Sequence, residues 1–444
     1  MQHKDVISVF GLGKLGCTML ACFAAKGWNV VGVDIIPEVI EKVNNGISPV
    51  YEPGVDELIK ANKERITATN DVKTSVLNSD VSFVIVPTPS LPSGKFDTRL
   101  VENVLKDIAA GLREKHAYHL VVITSTVLPG DMDQLKQLLE EMSGKKCNAD
   151  FGVCYNPDFI ALGNIVHDFT NPDLVLIGES DKKAGDMLHS VHERLVKNQP
   201  GYQRMNFYNA ELCKIAINSY CTLKITFANV IADICEKMPG GDADIVTKAL
   251  GADSRIGKKY IKGGLSYGGP CFPRDNRAFG WVAHRFGVKH VLSEQTDLIN
   301  NYQRSDRLPG KIESILKEND VNEIAVLGLT YKHDTTLVEE SAGLYITKSL
   351  LQKGYHVTVY DPAGISDAKK ELAEFGNIKY ALSVNECLQG KKVCMITSPW
   401  KEFTKLRTTD FLKHMAAQPV VVDGWSLFNE MDDASLTYIR IGKN

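Results

Sequence analysis

The opening of the chain constrains its fold more than any other segment does. Val6-Ile-Ser-Val-Phe-Gly11-Leu12-Gly13-Lys-Leu15-Gly16 is an apolar strand running into G-x-G-x-x-G and then into an apolar helical pattern. Gly11 permits a tight turn, Gly13 lets the backbone approach a pyrophosphate, and Gly16 lets the helix pack closely on the strand. The helix N-terminus then faces the anion. A second apolar run, Asn29–Asp34, ends in a carboxylate. Asp34 can accept from both hydroxyls of a ribose and would repel a 2′-phosphate, so NAD is the expected cofactor. Gly11, Leu12, Gly13, Leu15, Gly16 and Asp34 are its expected contacts.

Short apolar runs alternate with amphipathic stretches through residues 1–200, as in βα units around a parallel sheet. Further strands are expected at Val81–Val86, Leu120–Thr124, Phe151–Tyr155 and Leu174–Ile177, with helices at Asp97–Glu114 and Asp131–Met142. Residues 201–319 read differently. Ala210–Lys237 has no Pro or Gly and is apolar on more than one face, which predicts a long helix buried between domains or subunits. A glycine-rich stretch, 262–275, follows, and then a helical segment to about residue 319. From Glu323 the βα alternation returns, with strands expected at Ile324–Leu327, His356–Tyr360, Val393–Thr397 and Val420–Asp423. Gly328 after the first of these and Asp361 after the second echo Gly11 and Asp34. The expected fold class is α/β: two Rossmann-like domains, 1–200 and 320–444, joined by a central helical region with one long dimerisation helix.

Charge and composition exclude other classes. A formal net charge of −3 over 444 residues offers no basic surface for nucleic acid or an anionic membrane. Apolar runs are strand-sized, well short of the ~18–20 residues of a membrane span. The N-terminus, 1–7, lacks the apolar core of a signal peptide. The ten cysteines contain no C-x-x-C pair and no compact framework. A reduced, cytoplasmic setting is expected, and no metal site.

The densest chemical segment is Gly268-Gly269-Pro-Cys271-Phe-Pro-Arg-Asp275. Glycines and prolines around a cysteine make a rigid loop where backbone can pass close to a ligand. A lone cysteine is commonly an inert core thiol, and an aspartate four residues on can be a surface charge. Here the wider pattern decides. The chain resembles the UDP-glucose/GDP-mannose dehydrogenase family over nearly its whole length. The resemblance rests on Gly11–Gly16 with Asp34, Tyr51-Glu-Pro-Gly54, Val86-Pro-Thr88-Pro89, Ser125-Thr126-Val, and Asn156-Pro-Asp-Phe159. It continues through Glu211-Leu-Cys-Lys214-Ile-Ala-Ile-Asn218, Ser254-Arg255-Ile-Gly257, the Cys271 loop and Gly328-Leu-Thr-Tyr-Lys332.

The resemblance implies oxidation of a sugar C6 alcohol twice, with two NAD⁺ used in sequence. Thr88 and Ser125 join the expected cofactor contacts. Cys271 stands at the family's nucleophile position, where a thiolate holds the half-oxidised substrate as thiohemiacetal and thioester. Lys214 and Asn218, one helical turn apart, would stabilise the oxyanions. Asp275 matches the aspartate that works with the lysine, and Asp158 the carboxylate linked to thioester hydrolysis, with Thr126 placing the water. Phe159, Arg255, Tyr260, Lys262, Tyr267, Gly268, Tyr331 and Lys332 match substrate positions. Arg255 matches an arginine that reaches a neighbouring subunit, so a homodimer is the expected minimum unit.

Several positions depart from the family pattern. Leu162 and Glu339 stand where glutamate and arginine are usual, Val39 replaces a basic residue, and Trp425 replaces an arginine. Asp158 is one methylene shorter than the usual glutamate. The same chemistry on GDP-mannose or a UDP-N-acetylhexosamine stays open, as does a catalytically weak sugar-nucleotide-binding protein. A simple hydroxyacid dehydrogenase shares the first domain and the lysine helix, but the Cys271 loop and a second Rossmann-like domain speak against it.

Overall fold

The structure, a computed structural model, describes residues 5–428, 431 and 433–444; residues 1–4, on which part of the N-terminal reading rests, lie outside them. The chain forms two compact units, Met1–Ala216 and Ile217–Asn444.

The first unit is built on eight strands: β1 (Val6–Phe10), β2 (Asn29–Val33), β3 (Ile66–Thr69), β4 (Val81–Val84), β5 (His119–Ile123), β6 (Phe151–Tyr155), β7 (Leu174–Glu179) and β8 (Gly201–Met205). Their order is β3-β2-β1-β4-β5-β6-β7-β8, parallel except where β7 meets β6. Alternate residues serve opposite faces of the sheet. Ile7, Val9, Leu120 and Val122 join one core cluster, with Leu20 and Phe23. Phe10, Val121 and Ile123 join another, with Leu105 and Leu139. Helices on both faces explain why the central strands read as largely apolar runs.

The second unit repeats the plan with β9 (Glu323–Leu327), β10 (His356–Tyr360), β11 (Ile378–Tyr380), β12 (Val393–Ile396), β13 (Val420–Asp423) and β14 (Thr437–Arg440). The order is β11-β10-β9-β12-β13-β14, parallel throughout. In both sheets the strand order reverses beside the first strand, between β1 and β4 and between β9 and β12. That switch point opens a crevice at the carboxyl ends of the strands.

Three differences from the sequence reading have physical causes. Strands β3, β8, β11 and β14 were not expected; β3, β11 and β14 end their sheets on one side, as β8 does, and carry mixed polar sequences such as Gly-Tyr-Gln-Arg-Met. The expected helical segment after residue 275 is three helices, Phe272–Arg285, Leu292–Tyr302 and Leu308–Glu318. Gly287, at φ +69°, ends the first, and a wide π turn, Gln303–Arg307, joins the other two. Finally, the helix Phe207–Lys237 is, by length and composition, apolar enough to cross a membrane, which strand-sized apolar runs did not suggest. Its Asn218 binds Asp275, its Asn229 binds Leu265 and Gly264, and its Asp233 binds Gln303 and Arg307, while Leu212, Tyr220, Phe227 and Ile234 on the same helix are exposed.

Candidate active site

The first unit carries a dinucleotide cradle. Gly11 sits at φ +94°, and a Cβ there would stand 2.4 Å from the Ile85 carbonyl oxygen. A Cβ on Gly16 would fall 1.8 Å from the Gly11 carbonyl oxygen, so helix and turn can touch only as glycine. Gly13 caps the helix Lys14–Ala25, and a Cβ there would meet nothing within 4 Å. Its peptide thus faces open space at a helix N-terminus, the arrangement a pyrophosphate requires. Leu12 is buried, Leu15 half-buried. The Leu12 and Ile36 N–H groups donate to the two oxygens of half-buried Asp34, at 2.7 and 2.9 Å. The loops after β4 and β5 are stitched together: Ser125 Oγ donates to Val86 O and accepts from Val86 N, and Thr88 Oγ1 donates to the carbonyl of Thr126. These residues fit a bound dinucleotide.

The loop after β6 carries Asp158 and Phe159. Lys214, 7% exposed, donates from Nζ to the Asp158 carbonyl at 2.5 Å and lies 4.6 Å from the Phe159 ring centre. The buried lysine therefore has partners. Asp158 is only partly buried as a residue, but its Oδ2 is shut off from solvent with no hydrogen-bond partner. Burial pushes its pKa up to about 7, against the pull of Lys214. Glu52 anchors the far end of this loop, accepting from the N–H groups of Gly163 and Ile165 at 2.9 and 3.1 Å. Glu211, one turn before Lys214, accepts from Gly130 and Met132 at the start of the helix Asp131–Ser143. Burial pushes its carboxyl up to about 7, partly offset by those two N–H groups. In the sequence Glu52 and Glu211 stand only as members of the family motifs. Their signal was an acid inside an apolar or glycine-rich segment, where it needs donors.

The second unit holds the cysteine loop. Cys271 is exposed and is the N-cap of the helix Phe272–Arg285. A thiolate there gains from the helix dipole. Gly269, at φ +81°, packs against the Tyr331 ring, where a Cβ would stand 2.6 Å away. Behind the loop lies Asp275, 0% exposed. It accepts from Asn218 Nδ2 at 2.6 Å and from Arg274 Nε at 2.9 Å, and its N–H donates to the Cys271 carbonyl. Cys271, Asp275, Asn218, Gly268 and Tyr331 are thus brought together. Lys332 Nζ lies 5.9 Å from the Tyr331 ring centre.

The remaining expected substrate residues are more dispersed. Lys262 Nζ donates to the carbonyl of Trp425 at 2.6 Å, and Trp425 Nε1 donates to Thr397 O. Tyr260 is exposed at φ +63°, edge-on to Phe272. Tyr267 is buried, its backbone N–H and carbonyl both bound by the Asn300 side chain. Arg255 projects outward on a bidentate pairing with Asp253. Glu339 has its carboxyl pushed up by burial and by Glu340, against the pull of Arg274.

The second sheet treats its echo of Asp34 differently. Asp361 is buried, and one oxygen accepts from the N–H groups of Leu329 and Thr330, the Thr330 hydroxyl and Trp400 Nε1. The other accepts from the N–H groups of Ala363 and Gly364.

Comparison with known proteins covers nearly the whole chain. Residues 5–196 match the NAD-binding domain, 208–302 the central domain, and 325–430 the UDP-binding domain of the UDP-glucose/GDP-mannose dehydrogenase family. The chain is 33% identical to the UDP-glucose 6-dehydrogenase TuaD of Bacillus subtilis, covering 98% of this chain and 93% of that one. It is 34% identical to GDP-mannose 6-dehydrogenase of Pseudomonas aeruginosa over 83% of this chain and 84% of that one. A solved UDP-glucose dehydrogenase from Pyrobaculum islandicum superposes with a TM-score of 0.86 at 30% identity, over 99% of this chain and 98% of that one.

Proposed function

Because the chain belongs to the UDP-glucose/GDP-mannose dehydrogenase family of NAD-dependent nucleotide-sugar 6-dehydrogenases, we propose that it oxidises UDP-glucose at C6 to UDP-glucuronate. The observation that carries the chemistry is the Cys271 loop: an exposed thiol at a helix N-terminus, in a turn only glycine can build, backed by buried Asp275 and its half-buried donor Asn218. UDP-glucose is preferred because Asn156-Pro-Asp-Phe159 and Cys271-Phe-Pro look most like that branch of the family.

Bound NAD⁺ supplies a hydride acceptor in each of two rounds. In the first, the C6 alcohol loses a hydride and a proton and becomes an aldehyde. The Cys271 thiolate adds to the carbonyl carbon, and the oxygen takes a proton, giving a thiohemiacetal. A second loss of hydride and proton leaves a thioester. Water then cleaves the C–S bond, giving the carboxylate and restoring the thiol. Lys214 and Asn218 donate to the oxyanions, and Asp275 works with the lysine in proton transfer. Asp158 activates the water, with Thr126 placing it. In this reading residues 1–200 bind the cofactor and 320–444 the nucleotide sugar, with Lys262, Tyr331 and Lys332 among the contacts. A homodimer is formed through 201–319, where Arg255 reaches the second copy. The setting is cytoplasmic.

Limiting UDP-glucose should yield two NADH per sugar acid, with little free aldehyde. One NADH and a stable aldehyde or ketone would overturn the four-electron reading, and preference for GDP-mannose or a UDP-N-acetylhexosamine would overturn the substrate. Cofactor choice is a separate measurement. Asp34 should hold kcat/KM for NADP⁺ at least about tenfold below NAD⁺, the loss of roughly one charge-assisted contact. Equal values would take Asp34 away from the ribose.

Asp158 sets an expected pH dependence. With its pKa raised to about 7, the carboxyl is protonated below that pH and becomes a base above it. Thioester hydrolysis, followed in single-turnover experiments, should therefore climb as pH rises through about 7 and then level. Asp158→Asn should remove that limb and slow hydrolysis by ~10²–10⁴, the usual worth of a general base. An unchanged limb in the Asn variant would assign the titration to another group.

A further inference from the structure

A turn braces the cysteine loop. Val338, Glu339, Glu340 and Ser341 form it, closed by the Ser341 N–H donating to Val338 O at 3.1 Å. Glu340, its third residue, sits at φ +55°, a conformation that favours glycine. The backbone therefore gives no reason for glutamate here, but the side chain does. Its carboxylate pairs with the guanidinium of Arg304 and with Arg277 Nη1 at 3.3 Å. Arg304, 2% exposed, comes from the π turn Gln303–Arg307, donates to Asn301 Oδ1 at 2.6 Å and stacks 4.0 Å from the Tyr345 ring centre. Its own position is therefore fixed.

The turn's backbone lies directly against the cysteine loop. The Gly269 N–H donates to the Glu339 carbonyl at 3.0 Å, and a Cβ on Gly268 would stand 2.3 Å from the Glu340 carbonyl oxygen. We propose that Glu340 is a positioning residue for Cys271: clamped by Arg304 and Arg277, it holds the 339–340 peptide as a fixed rail on which Gly268–Gly269 seats, and so fixes the thiol where it must meet the aldehyde. This rests on the covalent reading above. A 1 Å misplacement of a reacting group costs on the order of 10²-fold in rate, so a loosened rail lets the aldehyde leave before it is captured.

The test is partition rather than total activity. Glu340→Gly suits the backbone but removes the carboxylate, and Glu340→Gln keeps the shape without the charge. Each is incubated with UDP-glucose, NAD⁺ and hydroxylamine, and aldehyde trapped as oxime is measured against sugar acid plus the hydroxamate that hydroxylamine forms from the thioester. That ratio reports only on turning-over enzyme, so a lower folded fraction does not move it. Glu340→Gly should raise aldehyde per acid at least about tenfold, with KM for NAD⁺ within about twofold of the parent. Wild-type partition in both variants, or in the Gln variant where the Gly variant cannot be purified, overturns the proposal. Cys271→Ser run beside them separates the two readings. If it makes acid as the parent does, the covalent reading fails; if it makes none while the Glu340 variants partition normally, only the rail fails.

Discussion

Cys271→Ser is expected to end net formation of sugar acid, with a loss on the order of 10³–10⁶, as when other enzymes lose their nucleophile. A serine hydroxyl is a weak nucleophile without a neighbouring base, so it captures the aldehyde poorly. Cys271 is the exposed one among ten free cysteines, and burial pushes the thiols of Cys17, Cys22 and Cys387 up to about 12. The variant should keep its fold, because the side chain is exposed and Gly268, Gly269 and Pro270, which shape the loop, stay in place. Circular dichroism and NAD⁺ affinity check that, and acid is measured directly by chromatography. Acid production at the parent rate would remove Cys271 from the mechanism.

Lys214→Ala should be the second most damaging change. An oxyanion that loses one preorganised donor typically slows by ~10²–10³. A further consequence separates this loss from simple damage to the fold. Lys214 is the cation that holds the buried Asp158 carboxyl down against desolvation. Without it, the pKa of Asp158 should move above about 7, and the pH limb of thioester hydrolysis should move alkaline with it. Lys214→Arg keeps the charge and should keep the limb near its parental pH even where the rate falls. If the limb stays put in the Ala variant, Lys214 and Asp158 are not electrostatically linked in the working enzyme.

Much of this was legible in the residues, and what was not has a common cause. Strands β1, β6, β10 and β13 fall on their sequence bounds, because their interiors are buried and mostly apolar. The edge strands were invisible because one side of each meets solvent or a loop, which admits Thr, Lys and Arg. At the site, glycines announced themselves, since Gly11, Gly16 and Gly269 occupy positions no other residue fits. The acids were harder. Glu52, Glu211 and Glu340 each bind partners far along the chain, from Gly130 to Arg304, and no local pattern encodes a partner 36 or 113 residues away. Asp34 was legible because its partner, the Leu12 N–H, lies within the same βαβ unit.

The order β3-β2-β1-β4-β5-β6 in the first sheet is repeated by the six strands of the second, and that raises a problem of misdirected binding within a single molecule. A chain with two copies of a dinucleotide-binding plan offers the cofactor two addresses, and occupancy of the wrong one would block the sugar nucleotide. Two features distinguish them: the second copy lacks the glycines of the first turn, with Thr330 and His333 where Gly13 and Gly16 stand, and its acid at the tip of the second strand is bound differently. In the first copy each oxygen of Asp34 takes one N–H and has lone-pair capacity left for a ribose. In the second copy Asp361 already receives six donors, from Leu329, Thr330, Trp400, Ala363 and Gly364, and a carboxylate has about four lone-pair sites to share among them. The same residue type keeps acceptor capacity to spare in one half and is saturated by its own chain in the other.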